Sequence, residues 1–193
     1  MQVIRRNELL HFTRPERRSE VLELSLERRA ELIENILMYL YTLQSKEQRD
    51  ELLGLVQTIL NDDQSVSSQF STVAYIVCDS KLKITYVNKV WLDRSQVDAE
   101  LTLGRVLYEE RDYLDSEIEQ MYSMVMETRL IGDALVRYRN IEKGYDGWFA
   151  LVVIPLDEGG IGVLSKFGAT KEELTDQSID PNSPDAPRFI HLQ

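Results

Sequence analysis

The side chains that carry most protein chemistry are sparse in this 193-residue chain: one cysteine, Cys78, and two histidines, His11 and His191, near opposite ends. One cysteine builds neither a disulfide framework nor a thiolate zinc site, and no metal ligand set is expected. Cys78 ends an apolar run, where an isolated thiol is ordinarily inert packing rather than a redox sensor. Glu109, Glu110, Arg111 and Asp112 set carboxylates beside a cation, as acid–base catalysis does, yet a mixed run before a helix normally forms a solvated surface. Gly159, Gly160 and Gly162 fit hairpin turns better than a phosphate cradle. Met121, Met124 and Met126 recur along one helix and read as core filling. Nothing resembles a nucleophile with its base, so no catalytic activity is expected.

The composition narrows the partners. A formal net charge of −11, from 33 acidic against 22 basic residues, repels a phosphate backbone, so nucleic acid is a poor default partner. Arg5, Arg6, Arg14, Arg17 and Arg18 form a basic face, but interspersed glutamates assign it to solvent. No apolar run approaches the ~20 residues of a membrane helix, and the charged first residues lack an apolar signal core. A cytoplasmic protein, away from membranes, is expected.

Three stretches must position whatever function exists: residues 1–64, 65–170 and 171–193. In the first, Thr13 with Glu16 has capping-box spacing, and Pro15 suits a first helical turn. Leu22, Leu26, Ile33, Ile36, Leu40 and Leu43 then recur at helical intervals, which predicts one long amphipathic helix over residues 15–43. Leu26, Ile33 and Leu40 keep seven-residue spacing, Leu22, Ile36 and Leu43 fit the second seam position, and Arg29 is the one mismatch there. Ser45 with Gln48 opens a second helix, making an amphipathic helical hairpin. Its stripe must meet the neighbouring domain or a second copy, and the spacing favours a homodimer seam through Leu26, Ile33, Ile36, Leu40 and Leu43. Gly54 inside the second helix hints at close helix approach. Residues 61–72 read as a linker, and 171–193, rich in Asp, Pro, Asn and Ser, as a flexible tail.

The middle stretch changes period. Residues 73–78 and 82–87 form a predicted hairpin. Helical segments are expected at 89–94, 103–109 and 115–128, with Asp115 as a cap and a turn near 97–100. Three strands follow, at 133–141, 147–156 and 160–167. Strands and helices do not alternate, so the pattern is α+β. In the fourth strand Trp148, Ala150, Val152 and Ile154 share one face and Phe149, Leu151 and Val153 the other. Both faces are apolar, and the amino-terminal helices are available to cover the second.

AYIVCDSKLKITYVNKVW (residues 74–91), LGRVLYEE (103–110), YDGWFALVVIPL (145–156) and GGIGVLSKFGAT (159–170) together resemble a PAS domain, over a little more than half the chain. The resemblance implies a five-stranded antiparallel sheet of order 2-1-5-4-3, roofed by short helices. It also implies a pocket for a small molecule or cofactor, whose candidate lining is Tyr86, Trp91, Val106, Leu107, Val136, Tyr138, Trp148 and Val152. Asn88 is expected to be structural, its amide holding the chain as it leaves the second strand. The cofactor, if any, is left unknown. A flavin adduct would need a cysteine where Leu103, Gly104, Arg105 and Val106 stand, and no histidine between 70 and 170 offers itself to haem.

HFTRP around His11 resembles the phosphoacceptor box of histidine kinases only loosely. The Asp-x-Thr signalling element of PAS domains is matched at Thr170 but has Gly168 in its acidic position. The reading is therefore a sensory PAS-type protein signalling through its amino-terminal helices to a separate output protein. The alternative is a ligand-free PAS module for dimerisation and assembly.

Overall fold

Pro15–Leu22 forms a helix, α1, whose proline sits in the first turn as its fixed φ allows. The computed structural model describes residues 9, 11–43, 45–107, 116–140, 145–168 and 189–192. The single long helix expected over 15–43 is two helices, because α2 (Leu26–Tyr39) starts afresh with Ser25 accepting from the Arg28 amide. Arg29, the mismatch in the seam, explains the break. Its side chain turns back to bond the carbonyls of Leu22 and Leu24 at the end of α1, and it pairs with Asp62 at 2.6 Å. Helix-end carbonyls need such donors.

Thr13 does not cap α1; its hydroxyl reaches Glu51 on α3 (Lys46–Asp62) at 3.2 Å. Ser45 caps α3 as expected, accepting from the Gln48 amide. A Cβ on Gly54 would meet open space, so that glycine does not mark a close helix approach. Residues 61–72 are packed rather than a loose linker. α3 runs through Asp62, a 3-10 helix follows (Gln64–Gln69), and Val66, Ser67 and Phe70 are buried.

The sheet contains β1 (Val73–Cys78), β2 (Ile84–Val87), β3 (Gly132–Asn140), β4 (Tyr145–Pro155), β5 (Ile161–Gly168) and β6 (Phe189–Leu192), in the order β2-β1-β5-β4-β3-β6. The first five members are antiparallel neighbours in the expected 2-1-5-4-3 order. β6 corrects the reading of 171–193 as a flexible tail, since Phe189–Leu192 pair parallel with β3. Polar composition around these residues hid a run of four that fits a sheet edge.

Between β2 and β3 lie α4 (Lys89–Ser95), α5 (Ala99–Thr102) and α6 (Ser116–Thr128). The helix expected over 103–109 is absent as far as Leu107. Gly104 takes φ +84°, and Gly104, Arg105 and Leu107 exchange backbone bonds with Leu82 and Ile84 instead. Residues 108–109 and Asp115 lie outside the described residues, as does all of 171–188.

Two apolar cores share the sheet. One lies between it and α1–α3, and includes Tyr75, Leu135, Val152 and Leu164. The other lies between the opposite face and α4 and α6, and includes Ile76, Val136, Leu151 and Val163. Ile33, Ile36, Leu40 and Leu43 belong to the first core at 0–1% exposure, and Leu26 packs against it. The seam expected to join two copies is thus filled by this chain's own α3 and sheet. A single sheet with two apolar faces demands cover on both, and the nearest helices supply it.

Candidate functional site

The eight pocket candidates divide between the two faces. Trp91 from α4, Leu107, and Val136 from β3 are buried on the roof side, and Val106 is partly buried there. Val152 is buried on the opposite face, and Trp148 is partly buried against the same helical core. Tyr86 pairs with Val77, shares that opposite face, and is 36% exposed. Strand alternation was read correctly; which face meets the roof was reversed. The roof side of β4 is formed by Phe149, Leu151 and Val153. Tyr138 pairs with Gly147 through its backbone, and its side chain lies outside the described residues.

The roof side is densely occupied. Trp91, Tyr122 and Phe149 project there at 4–7% exposure, with Met121 and Val125 of α6 beside them. Gly132 lies tight under α6, a Cβ there falling 2.8 Å from Met121. The cavity described, of about 390 Å³, lies elsewhere, as an open groove along α6 between Glu119, Ser123 and Glu127. Cys78 closes β1 on the roof side, fully buried, and burial followed by the charge of Asp79 pushes its thiol up to about 12. A thiol so raised is a poor nucleophile at neutral pH.

Asn88 is the best-determined polar residue. Its carbonyl accepts from the amides of Tyr75 and Trp91, and its NH2 donates to the carbonyls of Val73 and Ser67. One side chain thereby joins β1, the 3-10 helix and the first turn of α4. Its expected structural role is what the geometry displays.

Two polar clusters tie the helices to the sheet, and sequence reasoning found neither. Glu34 of α2, 4% exposed, accepts from the amides of Ser71 and Thr72 at 2.6 and 2.7 Å. Thr72 then receives Lys166 on its hydroxyl and Arg94 on its carbonyl, both at 2.7 Å. Burial lowers the Lys166 pKa, and Arg94 adds to that while Glu34 opposes it. Arg94 also lies over the Phe167 ring, 4.5 Å from its centre. The chain of contacts runs from α2 through the head of β1 to β5 and α4.

The second cluster joins β3 to α3. Tyr41 donates towards the Leu151 carbonyl and meets the Asp133 carboxyl, and Arg49 lies near both. Burial raises the Asp133 pKa against the pull of Arg49, and it raises the Tyr41 phenol well above its ordinary range. Arg49 itself is 3% exposed and bonds the Leu43 carbonyl. In sequence these residues lie far apart, at 41, 49 and 133, and only the fold brings them together.

A third buried polar group is Tyr75. Its hydroxyl has no hydrogen-bond partner among the described residues, and the missing side chain of Gly162 makes its room, a Cβ there lying 2.8 Å away. His11 is partly buried with its ring edge-on to Phe12, and the side chain of His191 lies outside the described residues. Among the described residues, no group of three or more His, Cys, Asp or Glu is placed to hold a metal, and no helix is long and apolar enough to cross a membrane.

The strand order and the helices inserted between β2 and β3 are those of the PAS fold. No protein-family model and no curated protein matches the chain. Solved structures do. The PAS domain of histidine kinase ThkA is 19% identical with a TM-score of 0.40, over 50% of this chain and 99% of that one. The PAS domain of a Colwellia psychrerythraea protein is 15% identical with a TM-score of 0.43, over 55% and 94%. Vibrio cholerae VqmA, described as a dimer, is 17% identical with a TM-score of 0.45, over 55% of this chain and 50% of that one. At such identities the likeness is one of fold.

Proposed function

We propose that the chain is a PAS-type sensory module: a small molecule held between sheet and roof shifts the strands, the amino-terminal helices respond, and a separate signalling protein reads them. The observation that carries this reading is one sheet serving two cores, with Glu34 and Asp133 binding its strands to α2 and α3. A displacement on the roof side therefore has a physical route to the helices. Occupancy moves them only if it favours one arrangement, and couplings of this kind amount to about 1–3 kcal/mol. Trp91, Val106, Leu107 and Val136 are the candidate contacts. The reading includes no catalysis, a cytoplasmic location and self-association through a surface other than the α2 seam.

Native mass spectrometry of the purified protein, paired with amide exchange of α2 and α3, tests it. A bound mass whose removal changes helix exchange is the expected result. An empty protein, with helices indifferent to every candidate added, would sink the sensing role. That outcome would leave the second reading, a ligand-free assembly module, which the filling of the roof side by Trp91, Tyr122 and Phe149 favours.

A further inference from the structure

Arg94 lies in the last turn of α4, one turn beyond Trp91, whose side chain is buried in the roof-side core. Its guanidinium sits over the Phe167 ring, 4.5 Å from the centre, and that ring packs on Phe149 with 5.0 Å between centres. Phe149 is a buried member of the roof-side core, and close-packed interiors transmit strain, so the ring beneath Arg94 follows the packing there. The same guanidinium donates to the Thr72 carbonyl at 2.7 Å, and the Thr72 amide donates to Glu34 of α2 at 2.7 Å. One residue of backbone is therefore held from two sides, by the roof helix at its carbonyl and by the amino-terminal layer at its amide. A guanidinium suits this double contact, because its flat face stacks on a ring while its edge donates hydrogen bonds. Lys166 also reaches Thr72, at the hydroxyl, but it alternates with Phe167 along β5 and shares the helix-facing side with Leu164, away from the roof core.

We propose that Arg94 is a positioning residue that passes the state of the roof-side core to α2, through Phe149, Phe167, Thr72 and Glu34. Its use rests on the sensory reading, which it deepens by naming one side chain, in place of the sheet at large, as the carrier. A line of contacts is a coupling only where one end responds to the other, and that response is what must be measured.

In the full chain, NMR follows the Glu34 carboxyl carbon and the amides of Ile33, Glu34, Asn35 and Ile36, with urea unfolding to establish that each variant is native. Phe149→Leu should shift these resonances in the wild-type background and leave them in place once Arg94→Gln is present. Phe167, only partly buried, offers a second substitution that disturbs the core less. Phe167→Leu should shift the same resonances and add nothing to Arg94→Gln. An Arg94 that merely supports the fold would leave the shifts additive, and additive shifts overturn the proposal. So does a wild-type background in which neither substitution reaches α2. The measurement needs no ligand, so its outcome separates from that of the sensory reading. An empty protein with these coupled shifts sinks sensing and leaves Arg94 its role, whereas a bound molecule that moves α2 equally in the Arg94→Gln chain keeps sensing and removes that role.

Discussion

Asn88 shows how much one amide can organise. Two donors and two acceptors from β1, the 3-10 helix and α4 converge on it at 2% exposure, so its removal strands several buried backbone groups at once. Asn88→Ala should lower stability by about 2–4 kcal/mol, read from the midpoint of urea unfolding. An unchanged midpoint would mean that water replaces all four partners. Asn88 was legible in the sequence because it follows an aromatic strand end and precedes a helix. Glu34 was not. It sits between Ile33 and Asn35 in a helix full of charges, and only folding reveals that its carboxylate meets the bare amides at the head of β1.

Among the elements, the hairpin of β1 and β2, the run of β3 to β5 and the helices α3 and α6 were readable from period and capping residues. What period could not supply was the sense of each face. β4 is apolar on both sides, so alternation separated Trp148 and Val152 from Phe149 and Leu151 without saying which pair meets the roof. The break after Leu22 was equally hidden, because the carbonyls of Leu22 and Leu24 are open to Arg29 only when α1 ends where it does. Segment 103–107 favours a helix locally and is drawn into pairing with Leu82 and Ile84. Gly54 gives the element scale its test. With no neighbour within 4 Å of a Cβ, Gly54→Ala in α3 should gain about 0.5–1 kcal/mol, seen as a raised thermal midpoint. A loss would reveal a helix approach that the structure does not contain.

For the molecule as a whole, pH acts on the joint between helices and sheet. The Asp133 pKa is raised by burial, so the folded state binds this proton over a range where the unfolded chain has released it. Stability contributed there is present at acid pH and is lost as pH rises from the ordinary carboxylate range through the raised value. Asp63 and Asp79 have lowered pKa values, chiefly from hydrogen bonds to their carboxylates by Ser65 and by the Lys83 and Lys81 amides respectively, and act in the opposite sense below that range. Asp133→Asn should therefore flatten the decline on the alkaline side and leave the acid limb in place, as followed by unfolding midpoints across pH. An identical slope in the variant would show that the joint does not titrate.

The shared sheet also bears on how such a chain can be divided. A cut near residue 65 looks natural on paper, since the PAS-like portion would keep every antiparallel strand. It would nonetheless strip Tyr75, Leu135, Val152 and Leu164 of their cover and hand a broad oily surface to water. The half that resembles a free-standing module is, in this protein, a half that cannot comfortably stand free.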